Sequence, residues 1–205
     1  MALDRELMQT IIKRYPRSRS AIMPLLHYVQ SVSGYVTNEG IETISEILEI
    51  ETAEVSAVAT FYTQYKRKPV GEYHVGVCTN TLCAVMGGDA IYESIKEHLN
   101  IGNDEVTADG KVSVEHIECN AACDYAPVVM VNWEFYDNQT VQSVKDLVDG
   151  ARTGNPPAPT RGPKTLRTWK QNSAVLAGIS DGLANEGVQA GEATLLGLKK
   201  AKGGN

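Results

Sequence analysis

The sequence predicts an α/β protein made of a small helical bundle, a layered α/β domain and an irregular carboxy-terminal extension. Apolar residues recur at helical spacing over the first part of the chain, which predicts the bundle. Strand and helix patterns then alternate, which is typical of an α/β layer fold. Half of the 18 glycines and half of the 8 prolines follow residue 150. The domain boundaries that we expect are 1–68, 69–152 and 153–205.

Four short helices are predicted in the first domain. Leu7 and Ile11 belong to an apolar stripe, and Pro16 ends this first helix because the residue before a proline avoids the α region. Ser20 is the predicted cap of the second helix, and Gly34 provides its stop. The remaining two helices are predicted to start at Thr37 or Asn38 and at Thr52. Short helices with short connections favour a small bundle.

The second domain has a predicted strand directly before each of two cysteine loops. Residues 73–77 lead into Cys78, and residues 112–118 lead into Cys119. Because ligand sites in α/β sheets gather at the carboxyl ends of strands, we expect both loops to meet at one edge of the sheet. A third strand is predicted at 128–131, and helices are predicted at 89–99 and 141–148.

The four cysteines of the chain form two tight pairs, Cys78 with Cys83 and Cys119 with Cys123. The spacing is C-x4-C, a gap of 35 residues and C-x3-C. Four thiolates on two loops favour a 2Fe–2S cluster, in which each iron takes two cysteine sulfurs. A zinc site is the main alternative, although zinc pairs are usually closer to C-x2-C. Two disulfides or catalytic thiols also stay open, but neither pair has the C-x-x-C spacing of a dithiol oxidoreductase.

Charge and motif content narrow the classes of function. Residues 1–150 carry a net charge of −11 and residues 151–205 a net charge of +5. An acidic body repels phosphate, so we expect no nucleic-acid partner. The chain has no apolar run of about 18 residues and begins without a signal-peptide pattern, so we expect neither membrane insertion nor secretion. It also lacks a glycine-rich phosphate motif, so nucleotide binding is not expected.

Several sequence runs together resemble the E-subunit family of bacterial NADH–quinone oxidoreductase, respiratory complex I. They are residues 15–30, Gly34 with Tyr35, and residues 58–62, 77–83 and 118–127. The resemblance extends over about residues 10–150. It implies a helical domain followed by a thioredoxin-like ferredoxin domain.

The resemblance also implies a site and partners. Cys78, Cys83, Cys119 and Cys123 would bind one 2Fe–2S cluster, with no catalytic residue on this chain. The cluster would exchange single electrons with the FMN of an NADH-binding partner subunit, beside a neighbouring iron–sulfur subunit. The implied location is peripheral, on the cytoplasmic side of the bacterial plasma membrane, in the hydrophilic arm of the complex. Alternatives are the equivalent subunit of an NAD-linked hydrogenase or formate dehydrogenase, and a zinc-stabilised interaction module.

Four further expectations concern single residues and the extension. Ala121 stands where the family usually has a glycine, which allows a positive φ. Pro127 is a candidate for the cis-proline of thioredoxin-like folds. His116 is not expected to be a ligand, since four cysteines complete the shell. The glycine-rich extension argues against a core, and we expect either a flexible tail or an arm that lies on a partner subunit.

Overall fold

The amino-terminal helices form where the apolar periodicity predicts them. The computed structural model describes residues 3–203. Its first four helices are α1 (Arg5–Ile12), α2 (Ile22–Ser33), α3 (Asn38–Leu48) and α4 (Thr52–Phe61). Gly34 ends α2 in the left-handed region with a φ of 87°. Thr37 caps α3, because its side chain accepts a hydrogen bond from the N–H of Gly40.

The predicted cap of α2 is wrong. Ser20 lies inside a 3₁₀ turn, Ser18–Ala21, that runs directly into α2. Ala21 occupies the cap position with helical φ and ψ of −82° and −2°, and no side chain caps the helix. A side-chain cap needs an extended residue at this position, and the preceding turn removes it.

Part of the carboxy-terminal extension belongs to the helical unit. Helix α8 (Trp169–Leu176) follows Arg167, and the unit consists of the described residues up to Glu72 joined by Arg167–Asp181. The Trp169 side chain is only 2% exposed. Ala177 is also buried in the apolar core of this unit. The expectation of a coreless, flexible tail is therefore wrong for Arg167–Asp181, because this segment buries Trp169 and adds Ala177 to the core of the helical unit.

The second unit contains a five-stranded sheet in the order β2-β3-β1-β4-β5. The strands are β1 (Tyr73–Cys78), β2 (Glu105–Val106), β3 (Val112–Ile117), β4 (Val129–Val131) and β5 (Glu134–Tyr136). β1 runs parallel to β3, and Cys78 lies opposite Ile117 at the end of the pair. β4 and β5 are antiparallel to their neighbours.

Helices cover this sheet and surround its apolar core. The helices that supply buried residues to this core are α6 (Gly88–Leu99) and α7 (Val141–Arg152). The second unit also contains α5 (Thr81–Val85) and α9 (Glu192–Ala201), and no described residue of α9 is buried. Ile95 of α6 and Leu147 of α7 are buried with Val75 and Val114 of the sheet. The α/β prediction is confirmed, although the sequence did not predict β2, β5 or α5. These three elements have two, three and five residues, which is too short for a periodic pattern.

The chain clusters into two compact units, and the extension contributes to both. The second unit comprises Tyr73–Leu166 and the described residues from Gly182 onward. The three-part division at 1–68, 69–152 and 153–205 stays a prediction.

Within residues 3–203, no helix combines the length and the apolar character that crossing a membrane requires.

Candidate metal centre

The first cysteine pair is buried on regular structure. Cys78 is the last residue of β1 and is 2% exposed, and Cys83 lies in α5 and is 3% exposed. The five-residue helix α5 begins three residues after β1 ends, so it turns the chain back toward the strand end. Cys78 is fixed further by its backbone N–H, which donates to the carbonyl of Val128 at 3.1 Å. The position of Cys78 is therefore set by the sheet, and that of Cys83 by α5.

The second pair lies on an irregular loop and is exposed. Cys119 comes two residues after β3, and Cys123 starts a short 3₁₀ turn, Cys123–Tyr125. Their sulfur atoms are 3.5 Å apart, well beyond the roughly 2.05 Å of a disulfide bond. The peptide bond between Ala126 and Pro127 is cis, as expected for this position.

All four cysteines line one pocket of about 320 Å³ at the carboxyl ends of β1 and β3. The other lining residues are Asn80, Thr81, Leu82 and Val85. The two loops are connected directly, because Asn80 Nδ2 donates to Glu118 Oε2 at 2.8 Å. The parallel pairing of two strands, each followed by a cysteine loop, thus brings the two cysteine pairs into one pocket.

Hydrogen bonds around the second loop shape the thiol positions. The N–H of Ala121 donates to Cys119 Sγ at 3.3 Å. Ala121 adopts a positive φ of 54°, the conformation for which a glycine is the usual choice. Asn120 donates from its side chain to the carbonyl of Glu118 at 3.0 Å, so it shapes the loop and not the sulfur environment.

The electrostatics of the pocket favour neutral thiols when no metal is bound. Burial, together with smaller contributions from the neighbouring Cys83 and Cys119, raises the pKa of Cys78 to about 11. The pKa of Cys123 is raised mainly by its contact with Cys119. Thiolates this close repel one another, so the arrangement demands a positive centre to become fully deprotonated.

The donor set fits a 2Fe–2S cluster. It consists of four thiols that line one pocket, arranged as two pairs, and each iron of such a cluster takes two cysteines. Among residues 3–203, no three or more His, Cys, Asp or Glu side chains surround a single ion position. A two-iron cluster differs from a single-ion site, because it places only two protein ligands on each metal.

The histidines do not line the pocket. His116 is exposed on β3, and its ring contacts Tyr92 at a centroid distance of 6.1 Å. His74 Nδ1 lies 2.8 Å from Ser113 Oγ, and His98 Nε2 lies 2.8 Å from Asp149 Oδ1. His27 is buried on α2 of the helical unit. That His116 is not a ligand stays a prediction.

An exposed apolar surface beside the pocket was not anticipated from the sequence. Leu82, Val85 and Met86 are 44%, 78% and 56% exposed, and the first two also line the pocket. The signal in the sequence was weak, because these residues lie on or just after a five-residue helix that shows no periodicity.

Comparison with known proteins identifies the family. The family model of the thioredoxin-like [2Fe-2S] ferredoxin matches residues 8–152. The E subunit of NADH-quinone oxidoreductase from Mycobacterium bovis is 58% identical over 193 residues, which cover 94% of this chain and 76% of that protein. The protein of the same name from Rickettsia bellii is 42% identical over 149 residues, or 71% of this chain and 89% of the relative.

A solved structure supports the fold alone. An NAD+-reducing [NiFe]-hydrogenase chain superimposes with a TM-score of 0.56 at 18% identity, covering 64% of this chain and 23% of the hydrogenase chain. The family match, the curated relatives and the four-thiol pocket agree. The chain belongs to the thioredoxin-like [2Fe-2S] ferredoxin family, among relatives named as the E subunit of NADH-quinone oxidoreductase.

Proposed function

We propose that this chain is the E-type electron-transfer subunit of an NADH–quinone oxidoreductase. Cys78, Cys83, Cys119 and Cys123 hold one 2Fe–2S cluster in this proposal. The observation that supports it best is the pocket lined by all four thiols, in a member of a 2Fe–2S ferredoxin family. A cluster bound there accepts and returns one electron at a time, so the chain needs no acid, base or nucleophile of its own.

The unequal burial of the two cysteine pairs indicates the side of the site on which electrons are exchanged. Cys78 and Cys83 are buried in the protein interior, whereas Cys119 and Cys123 are exposed. Electrons would therefore enter and leave on the side of the exposed pair. The acidic residues Glu118 and Asp124 flank this pair and oppose an added negative charge, so we expect a low reduction potential.

The partner in this proposal is the NADH-binding subunit that carries FMN, next to a second iron–sulfur subunit. The exposed Leu82, Val85 and Met86 lie beside the pocket, and apolar residues clustered next to a functional site commonly mark a protein interface. FMN and NADH would be bound by the partner and not by this chain. We further propose that the complex holds the chain peripherally on the cytoplasmic side of the plasma membrane, in its hydrophilic arm.

A second candidate function keeps the same chemistry in another complex. The fold likeness to an NAD+-reducing [NiFe]-hydrogenase favours considering an NAD-linked hydrogenase or formate dehydrogenase. The identity of the proteins that co-purify with the chain separates these assignments. A zinc-stabilised interaction module would instead yield a colourless protein without an EPR signal after reduction.

Reduction of the cluster by NADH in the assembled complex tests the proposal. The complex purified through a tag on this chain should contain FMN, and NADH should generate the EPR signal of a reduced 2Fe–2S cluster assigned to this subunit. The Cys119→Ser variant should weaken or shift that signal while α1–α4 stay folded by circular dichroism. An unchanged spectrum in this variant would remove Cys119 from the ligand set.

A further inference from the structure

The second cysteine loop is supported by the carboxy-terminal extension. Cys119 and Cys123 lie outside helices and strands, apart from the short 3₁₀ turn that starts at Cys123. Ala121, between them, holds a positive φ that costs an alanine energy. A loop of this kind keeps its shape only where other contacts fix it.

Contacts with the start of α9 fix the loop directly after Cys123. The Tyr125 hydroxyl accepts a hydrogen bond from the N–H of Ala193 at 3.0 Å. The Thr194 hydroxyl lies 3.4 Å from Asp124 Oδ2 and donates to it. The two residues that follow the cysteine are thus each bonded to the extension.

The extension is itself fastened to β5. Thr160 donates its backbone N–H to the carbonyl of Phe135 at 2.8 Å. Arg161 forms an ion pair of 2.8 Å with Asp137, and both side chains are largely buried. The Arg161 guanidinium also lies over the Phe135 ring at 4.1 Å and over the Tyr125 ring at 5.5 Å.

A second backbone bond closes this arrangement. Gly162 donates its N–H to the carbonyl of Val188 at 2.8 Å. This bond joins two segments of the extension, residues 160–162 and 187–194. A Cβ at Gly187 would overlap the carbonyl oxygen of Gly162, and a Cβ at Gly191 would overlap the Tyr125 hydroxyl. Both glycines therefore permit close approach where the extension folds over the loop.

We propose that residues 160–162 and 187–194 form a clasp that holds the Cys119–Cys123 loop in its metal-binding geometry through Tyr125. This inference rests on the proposed function, because it concerns the shell of the same cluster. The family model ends at residue 152, before the clasp begins, so the clasp is an addition to the common fold. The relative from Mycobacterium bovis aligns over 94% of the chain, so that alignment includes much of the extension.

Release of iron from the full-length chain tests the clasp. The reconstituted protein is mixed anaerobically with excess chelator, and the loss of visible absorbance gives the rate. Gly191→Ala displaces Tyr125, and Tyr125→Phe removes the acceptor of the Ala193 N–H. Each should speed release roughly two- to tenfold, the factor that corresponds to one ordinary hydrogen bond.

Gly197→Ala is the matched control, since it makes the same change on α9 where the added methyl group meets open space. Its release rate should equal that of the wild type. The proposal is overturned if Gly191→Ala and Tyr125→Phe both release iron at the wild-type rate, or if Gly197→Ala accelerates release equally.

Hydrogen exchange of the metal-free chain separates this inference from the proposed function. In the apo-protein, Gly191→Ala and Tyr125→Phe should speed amide exchange at residues 119–126, whereas Gly197→Ala should not. Unchanged exchange in both clasp variants overturns the clasp. A wild-type chain that binds neither iron nor sulfide would contradict the proposed function, and the exchange measurement would still decide whether the clasp supports the loop.

Discussion

At the scale of single residues, Ala121 stands where the family usually has a glycine, and it adopts a backbone conformation that is unfavourable for alanine. The position holds a φ of 54°, and its N–H donates to Cys119 Sγ. An L-residue in the left-handed region costs about 1–2 kcal/mol, whereas glycine adopts it freely. The loop therefore keeps the sulfur contact at the expense of stability, and the anomaly was visible in the sequence although its backbone angle was not.

Ala121→Gly should raise the free energy of unfolding of the metal-free chain by about 0.5–1 kcal/mol, because relief of the strained φ exceeds the added chain entropy. Urea denaturation measures this change. The neighbouring Ala122→Gly is the matched control: Ala122 is buried at a φ of −111°, so the same substitution should destabilise by about 1 kcal/mol. Equal destabilisation by both substitutions would contradict the strain at Ala121.

His27 carries a second residue-scale prediction, which concerns pH. Its ring is buried beside Tyr65 at a centroid distance of 4.7 Å, and burial lowers its pKa to about 4. Between pH 6.5 and 4 the unfolded chain gains a proton here that the folded chain does not bind. Stability should therefore fall as the pH drops through this window, by roughly 3 kcal/mol at its lower end.

The His27→Gln variant should lose this part of the pH dependence, whatever its absolute stability. Urea midpoints of the helical unit at several pH values measure the slope. His116→Gln, which changes an exposed histidine of the other unit, is the control and should keep the wild-type slope. An unaltered slope in His27→Gln would exclude His27 as the titrating group.

At the scale of elements, the contribution of α8 to the helical unit depends on Trp169. Its Nε1 donates to the carbonyl of Gly34 at 2.8 Å, where α2 ends. Its backbone N–H donates to the carbonyl of Glu72 at 2.8 Å. Gln30, which is fully buried on α2, donates to Ser173 Oγ at 3.3 Å. A helix with little apolar pattern is thus fixed by one aromatic ring and specific hydrogen bonds.

Trp169→Ala should destabilise the helical unit by about 3–5 kcal/mol, because it leaves a cavity and unpairs the Gly34 carbonyl. Leu176→Ala on the same helix, where the side chain is 39% exposed, should cost less than about 1 kcal/mol. Circular dichroism during urea unfolding follows the helices. Similar midpoints for the two variants would show that α8 does not depend on the tryptophan.

The sequence predicted the elements that have a clear period and missed those that do not. Apolar periodicity or a flanking cap predicted several elements, among them α2, α3, β1 and β3. The docking of α8 could not be predicted, because a single tryptophan carries it and its partners at Gly34 and Glu72 are distant in sequence. The clasp around Tyr125 could not be predicted either, because it consists of isolated contacts between residues distant in sequence.

At the scale of the whole molecule, the cysteine spacing was the most informative feature. Two tight pairs, each placed after a strand, predicted one pocket, and the parallel pairing of β1 with β3 explains why the pairs meet. The exposed leucines of α9 have no such explanation within the chain. Leu195, Leu196 and Leu198 are each half exposed or more, and the arm that lies on a partner subunit stays a prediction for this helix.

Metal analysis of the anaerobically purified chain, combined with EPR after reduction, tests the central claim most directly. The four-thiol pocket predicts about two iron atoms and two acid-labile sulfides per chain, with the signal of a single reduced 2Fe–2S cluster. A colourless protein that contains one zinc ion, or one that contains neither iron nor labile sulfide, would contradict it.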